Sequence, residues 1–235
     1  MRCLNILPPS MVSLDAIRLS IAFFTISGLD VLGRLSLLEK NRTDIIDAIY
    51  QFQISSSSDH SSIDRCGFRG SLAAATALGH CRPDGVVGAD SAHPLDTSHI
   101  TMTYAALNTL LILGDDLSRL DRRGILTGIR ALQLPNGSFA ATLQGSESDV
   151  RFVYCAASIC HLLNDWSGAD RQAATNYIVN CIVSSRGYYF SLVACITVYS
   201  SAKSSASSQF TVFQSSVIPL VEKFFSFSFR ITTAP

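Results

Sequence analysis

Apolar residues recur at helical spacing along the first 180 residues of the chain, and this periodicity predicts a succession of α-helices. Ile45, Ile49 and Phe52, for example, fall on one face of a helix that Thr43 is expected to cap. The other predicted helices cover about residues 13–28, 97–113, 121–132 and 149–163, and a sixth begins after residue 168. No run in this region alternates convincingly as a strand does, so the predicted fold class is all-α.

Glycines and capping residues mark the predicted ends of these helices. Gly28 and Gly114 follow periodic runs and are predicted to stop the first and third helices. Asp121 precedes the fourth apolar run and is predicted to be its N-cap.

The helices come in pairs, and the same pattern, a glutamine followed by a Gly-Phe turn, recurs between them. Gln53, at the end of the second helix, is followed by the turn Cys66–Gly70, and Gln133, at the end of the fourth, by the turn Asn136–Phe139. A repeated helix pair with a Gly-Phe turn is typical of stacked α-α arrays, in which one pair cannot bury its apolar face alone.

The sequence changes character beyond about residue 180. The segment 181–235 is rich in Ser, Phe and Val, has Glu222 as its one acidic residue, and lacks the repeated glutamine and Gly-Phe turn. The predicted organisation is a helical-repeat domain at residues 1–180 and a divergent tail at residues 181–235, either disordered or foreign to the fold.

Composition narrows the class of protein. Hydrophobic residues make up 48% of the chain and charged residues 15%, which favours a large core over disorder. The net charge is zero, so no general field would attract nucleic acid. The seven cysteines, an odd number without a Cys-x-x-Cys pair, fit reduced thiols. With neither a signal-peptide pattern nor an apolar run of roughly 18 residues, we expect a cytoplasmic protein without a membrane span.

Several blocks of the chain together resemble the β subunits of protein prenyltransferases, and the geranylgeranyltransferase type I branch more than the farnesyl branch. The blocks are Arg18–Phe24 with Ser27–Asp30, Asp64–Ser71, Ala92–Asp96, Ser98–Tyr104, Ile112–Arg119, Arg130–Gln133 with Asn136–Phe139, and Asp149–Ala156 with Asn164–Gly168. They occur in the family's order over about residues 2–180, and the ordered set is far more specific than any one block.

The resemblance implies an α-α toroid, here partial, whose inner helices line a central funnel. In the family, the β subunit has this fold and pairs with an α subunit. It also implies transfer of a C20 isoprenoid from geranylgeranyl diphosphate to the cysteine of a C-terminal Cys-a-a-X sequence, often ending in Leu, on proteins such as small GTPases. In the family, a zinc ion binds that cysteine as thiolate.

Four site residues follow from the resemblance. Arg151 and Tyr154 match an Arg-x-x-Tyr pair that lines the funnel and contacts the isoprenoid and the peptide. Ser20 matches a small residue that leaves room for the longer lipid, and Phe24 matches a residue lining the pocket for the last residue of the peptide. Other interpretations remain open: an exposed charge for Arg151, a core aromatic for Tyr154, and a small packing residue for Ser20.

The family's zinc ligands, an Asp-x-Cys pair and a later His, have no counterpart, nor do its diphosphate-binding His, Arg and Lys. Beyond Tyr177 the chain contains no Asp and no His. We therefore expect a C-terminally truncated β subunit with neither catalytic residues nor zinc ligands of its own, and no independent transferase activity. Two alternatives remain: a non-catalytic partial toroid that binds the α subunit or prenyl and peptide ligands, and an incomplete gene model.

Two further sets of residues are weaker candidates for a functional site. Cys155 and Cys160 are possible nucleophiles, but the spacing identifies no activating base. A metal site is also possible within one loop-rich stretch, although its spacing matches no zinc module. Its residues are Cys66, His80, Cys81, His93 and His99.

Overall fold

The computed structural model describes residues 14–56, 63–72 and 97–184. The α-helices described there are α1 (Arg18–Val31), α2 (Arg42–Tyr50), α3 (Ile100–Ile112), α4 (Arg122–Ala131), α5 (Val150–Leu162) and α6 (Arg171–Ser184). Leu35–Asn41 and Ile63–Arg65 are 3-10 helices. The strands have two residues each: β1 (Gln53–Ile54), β2 (Gly67–Phe68), β3 (Phe139–Ala140) and β4 (Ser148–Asp149). The predicted all-α class is confirmed. Helix α6 crosses the predicted boundary at residue 181, and the tail beyond residue 184 lies outside the described residues.

Helices α1, α3 and α5 lie side by side and form what we call the first layer. We call the remaining helices, α2, α4 and α6, the second layer. Helices α2 and α6 contact α3 and α5 respectively, and the Arg122 guanidinium at the start of α4 donates to the carbonyl oxygen of Leu163, just beyond α5, at 2.8 Å. The apolar core between these elements includes the fully buried rings of Phe52, Phe68 and Phe139. Two of these rings come from the Gly-Phe turns, which explains why the turns repeat with the helices.

The ends of the first-layer helices share one geometry. Gly33, Gly114 and Asn164 follow α1, α3 and α5, and each has a positive φ, between 50° and 77°. After each of them, the next backbone N–H donates to the carbonyl oxygen five residues earlier, as at Asp115 to Leu110 (3.0 Å). This arrangement is the Schellman motif, which satisfies the last carbonyl groups of a helix.

Two predicted helix boundaries are wrong and two are confirmed. Helix α1 continues through Gly28 to Val31, because the left-handed residue that ends it is Gly33. Thr43 lies inside α2, whose N-cap is Asn41, with no side-chain cap hydrogen bond. Gly114 does end α3, and the Asp121 carboxylate does cap α4, by accepting from the Gly124 N–H at 2.8 Å.

The two repeated glutamines join successive repeats. The Gln53 side chain donates to the Arg119 carbonyl oxygen (3.2 Å) and accepts from the Asp121 N–H (3.1 Å). The Gln133 side chain makes both bonds to one residue: it donates to the Asp170 carbonyl oxygen (3.0 Å) and accepts from the Asp170 N–H (2.7 Å). We call these two arrangements the glutamine clamps. Each clamp holds the residue that caps the next second-layer helix, because Asp170 also accepts from the Ala173 N–H (3.0 Å).

Among residues 14–56, 63–72 and 97–184, no helix combines the length and the apolar character that crossing a membrane requires.

Candidate functional site

Helix α1 carries Ser20 and Phe24, one turn apart. Ser20 is half-buried, and its Oγ lies 3.6 Å from the Sδ of Met102 on α3. Phe24 is 72% exposed, which is unusual for a large apolar side chain. Its ring centroid lies 5.5 Å from that of Phe23, which is buried at the α1–α3 contact. Ser20 therefore packs between helices on one side of α1, and Phe24 presents an aromatic surface that the described residues leave uncovered.

Helix α3 adds Tyr104, a residue for which the sequence predicts no role in the site. Its ring lies 5.7 Å from Phe23 in an edge-on arrangement and 5.7 Å from Tyr154 on α5. Phe24, Phe23, Tyr104 and Tyr154 thus form a continuous series of ring contacts across the first layer, which we call the aromatic row. Such tilted and edge-on pairs are the preferred geometries of aromatic side chains.

Tyr154 ends the aromatic row on α5 and is half-buried. Burial raises the pKa of its phenol, and hydrogen bonding with Tyr104 and Ser158 partly opposes that rise. The phenol is therefore neutral at physiological pH and serves as a hydrogen-bonding group with an apolar ring. Of the four site residues that the sequence predicts, Phe24 and Tyr154 fall in the aromatic row, and Ser20 lies on the same helix as Phe24.

Arg151 lies one turn before Tyr154 and is 65% exposed. Asp149 caps α5 by accepting from the Arg151 N–H (2.7 Å), and its other carboxylate oxygen accepts from the Arg151 Nε (2.7 Å). A guanidinium nitrogen also lies 3.3 Å from a Glu147 carboxylate oxygen. Hydrogen bonding to Asp149 is the main reason why the pKa of Arg151 lies above its usual range. In this structure the Arg151 charge is thus paired with two local carboxylates.

Burial keeps three of the thiols protonated. Burial, with smaller effects from nearby carboxylates, raises the thiol pKa of Cys66, Cys155 and Cys160 to about 12 each. A thiol with that pKa holds its proton at neutral pH, and the thiolate is the reactive form.

In the loop-rich stretch that could hold a metal, the residues that the structure describes have structural roles. His99 is the N-cap of α3, and its Nδ1 accepts from the Thr101 N–H at 3.2 Å. Cys66 is buried beside α4. His80, Cys81 and His93 lie outside the described residues. Within residues 14–56, 63–72 and 97–184, no three His, Cys, Asp or Glu side chains come together as metal ligands. The described residues therefore do not fit the zinc site that the resemblance implies.

The family is established by comparison with known proteins. The family model described as "Prenyltransferase alpha-alpha toroid domain" matches residues 1–202. The chain belongs to the prenyltransferase α-α toroid family.

Individual relatives extend this assignment. The chain is 37% identical over 180 residues to "Geranylgeranyl transferase type-1 subunit beta" of Arabidopsis thaliana, which covers 75% of this chain and 45% of the relative. It is 35% identical over 188 residues to the Dictyostelium discoideum protein of the same name, with coverages of 77% and 52%. It is 30% identical over 179 residues to "Protein farnesyltransferase subunit beta" of Saccharomyces cerevisiae, with coverages of 74% and 34%. The chain thus spans about half the length of its type-1 relatives or less.

A solved structure has the same fold. "Candida albicans protein geranylgeranyltransferase-I complexed with GGPP" aligns with a TM-score of 0.58 at 21% identity, covering 76% of this chain and 48% of that one. This likeness confirms that the stacked helix pairs are part of an α-α toroid.

Proposed function

We propose that this chain is part of a geranylgeranyltransferase type-1 β subunit and forms a section of its substrate-binding wall. The observation that carries this proposal is the aromatic row, which ends in the exposed ring of Phe24 and joins three adjacent first-layer helices. Covering an exposed Phe beside further aromatic rings with an apolar ligand is favourable, because it removes apolar surface from water. An isoprenoid chain is apolar along its whole length and fits such a surface.

The substrate of the complete enzyme would be geranylgeranyl diphosphate, and the acceptor a Cys-a-a-X sequence, often ending in Leu, on proteins such as small GTPases. The names of the type-1 relatives and the Candida albicans complex with GGPP support this proposal. Within it, Ser20 leaves room for the longer C20 lipid, and Phe24 contacts the isoprenoid and also lines the pocket of the last peptide residue. Tyr154 and Arg151 would contact lipid and peptide, although any acidic group that reaches Arg151 must share it with Asp149 and Glu147.

We further propose that this chain alone does not catalyse the transfer. Zinc supplies the thiolate chemistry in the family, and the described residues hold no set of ligands for it. No Asp or His occurs after Tyr177 to supply the family's Asp-x-Cys and His ligands. The described residues would bind and orient an apolar substrate. The proposed location is the cytoplasm.

Binding of geranylgeranyl diphosphate tests the proposal directly. Titration of the full chain with a fluorescent geranylgeranyl diphosphate analogue should saturate, and Phe24→Ala should weaken binding about tenfold or more, because the lost burial of a Phe ring is worth about 1.5–3 kcal/mol. Leu37→Ala is the matched control, because Leu37 is comparably exposed (68%) but lies outside the aromatic row. Equal binding by wild type, Phe24→Ala and Leu37→Ala would refute the proposed wall.

The lipid-length role of Ser20 has its own test. Ser20→Trp, with its fold checked by circular dichroism, should weaken binding of the geranylgeranyl analogue more than that of the farnesyl analogue. An equal loss for both lipids would show that Ser20 is only a packing residue beside Met102. Zinc-dependent transfer to a Cys-a-a-Leu peptide, by this chain with a prenyltransferase α subunit, would contradict the proposed inactivity.

A second proposal is that the chain binds a prenyltransferase α subunit without catalysis. Leu32, the C-cap of α1, and Leu37, in the 3-10 helix that follows, are apolar side chains that are 72% and 68% exposed. The chain should co-purify with an α subunit, and replacing both leucines with lysine should abolish the complex. Its absence from α-subunit pull-downs would eliminate this proposal.

A further inference from the structure

The turn between α4 and β3 contains Asn136 followed by Gly137, the one Asn-Gly pair in the sequence. The Gly137 N–H donates to the Leu134 carbonyl oxygen (2.9 Å), with Pro135 at the second position, as is typical of a type I turn. Asn136 is exposed, whereas Gly137 and Ser138 are buried. An asparagine amide next to glycine is the pair most prone to cyclise, because glycine has no Cβ to shield its amide nitrogen.

The reaction is spontaneous and needs only water. The Gly137 backbone nitrogen attacks the Asn136 Cγ, and a new C–N bond closes a five-membered succinimide. The Cγ–Nδ2 bond breaks, and the departing amide nitrogen leaves as ammonia with the proton from Gly137. Water then opens the ring at either carbonyl, and the products are aspartate or isoaspartate.

The native turn opposes each part of this reaction. The attacking nitrogen is engaged with Leu134, and the Asn136 Oδ1 accepts from both the Ser138 N–H (3.0 Å) and the Ser138 Oγ (2.7 Å). Helix α6 lies directly on the turn: a Cβ added at Gly137 would come within 2.0 Å of the Ala173 carbonyl oxygen. The nucleophile therefore cannot rotate toward the Asn136 side chain while α6 is docked.

Helix α6 is also the helix least secured by burial among those described. No residue between 171 and 181 is buried, whereas α4 has five buried residues. The Gln133 clamp to Asp170 attaches its start to the preceding repeat. An element with few buried contacts opens locally at low free energy.

We propose that Asn136–Gly137 is a deamidation site that docked α6 keeps closed and that reacts when α6 detaches. The modification is one-way. Isoaspartate adds a methylene to the main chain between residues 136 and 137, which displaces Gly137 from its close contact with Ala173 and disturbs the Gln133–Phe139 bridge. The modified turn no longer fits α6. Deamidation therefore marks the molecules in which that helix has detached.

The test compares deamidation rates by peptide mass spectrometry of the full chain at neutral pH, folded and in denaturant. We expect the folded rate to be slower by about tenfold or more, because reaction requires local opening. Gln133→Ala removes the clamp on α6 and should raise the folded rate several-fold. Gln53→Ala removes the equivalent clamp of the preceding repeat and is the matched control, with an expected rate like that of wild type. Asn136→Gln should abolish the mass gain.

Hydrogen exchange of the α6 amides is a second measurement that separates local from global effects. In Gln133→Ala, faster deamidation should accompany lower protection of α6, with α3 unchanged. Equal folded and denatured rates overturn the proposal, as do equal rates in the two glutamine variants. Full α6 protection in a variant that deamidates faster would overturn it too.

Discussion

Gly128→Ala and Gly28→Ala place the same methyl group in the interior of two helices, and we expect their effects on stability to have opposite signs. Gly128 lies in α4 where that helix crosses the segment before β2. A Cβ added there would come within 2.2 Å of the Cys66 carbonyl oxygen and 3.2 Å of its carbon. Gly28 lies in α1 on an exposed face, and a Cβ added there meets nothing within 4 Å.

The magnitudes follow from two terms. Alanine is the better helix former at both positions by about 0.5–1 kcal/mol. At Gly128 the methyl group must also displace a backbone carbonyl oxygen that accepts from the Ser98 Oγ (3.0 Å). Overpacking of this kind costs about 1–3 kcal/mol, and the fixed carbonyl places the cost at the upper end. We therefore expect Gly128→Ala to destabilise by about 2 kcal/mol and Gly28→Ala to stabilise by about 0.5–1 kcal/mol.

Thermal and urea unfolding followed by circular dichroism measure both effects. For a chain of this size, about 2 kcal/mol corresponds to a fall of about 4–8 °C in the Gly128→Ala midpoint, while the Gly28→Ala midpoint should rise. If both variants gained stability, helix propensity alone would determine the change in stability, and the close approach of α4 to the Cys66 segment would be wrong. If both lost stability, Gly28 would have a packing role that its open surroundings do not explain.

Three further predictions concern the caps and the buried titratable groups. Asp121→Ala should destabilise by about 1–2 kcal/mol in urea unfolding, because it removes the α4 cap, and Asp121→Asn should retain most of the stability; equal losses would contradict a capping role. Burial lowers the pKa of His99 below its ordinary 6.5, against the opposing charge of Glu147, so the unfolded chain binds a proton that the folded chain does not. Stability should therefore fall as the pH drops through that ordinary value, and His99→Asn should flatten this dependence; an unchanged slope would refute it. In alkylation experiments read by peptide mass spectrometry, three thiols should react only on unfolding, and rapid native labelling would contradict their burial. These thiols belong to Cys66, Cys155 and Cys160.

Local signals predicted the helices well because they act within one turn of the chain. Asp121 caps its helix as its position indicates, since a cap needs only the next three residues. Gly28 misleads for a related reason. A glycine ends a helix when its backbone turns left-handed, and here that conformation belongs to Gly33, five residues later. Spacing alone does not distinguish a glycine tolerated on an exposed helix face from one that stops a helix.

The site was harder to predict because its geometry depends on contacts between distant residues. Tyr104 shares its stripe with Ile100 and Leu107, which are fully buried, and nothing in the spacing separates it from them. Its place in the aromatic row appears only when α3 lies between α1 and α5. The ion pairs of Arg151 were not predicted either. The resemblance assigns this residue to a substrate, whereas its own neighbours Glu147 and Asp149 already pair with it.

The glutamine clamps explain how a repeated local pattern aligns successive helix pairs. Gln53 reaches across 66 and 68 residues to Arg119 and Asp121, and Gln133 reaches 37 residues to Asp170. Each clamp fixes the start of a second-layer helix against the repeat before it. The first-layer helices α1, α3 and α5 pack side by side, and this packing brings one aromatic side chain from each helix into contact with the next. Loss of a clamp should therefore loosen the second layer first, and the aromatic row only when the first-layer contacts follow.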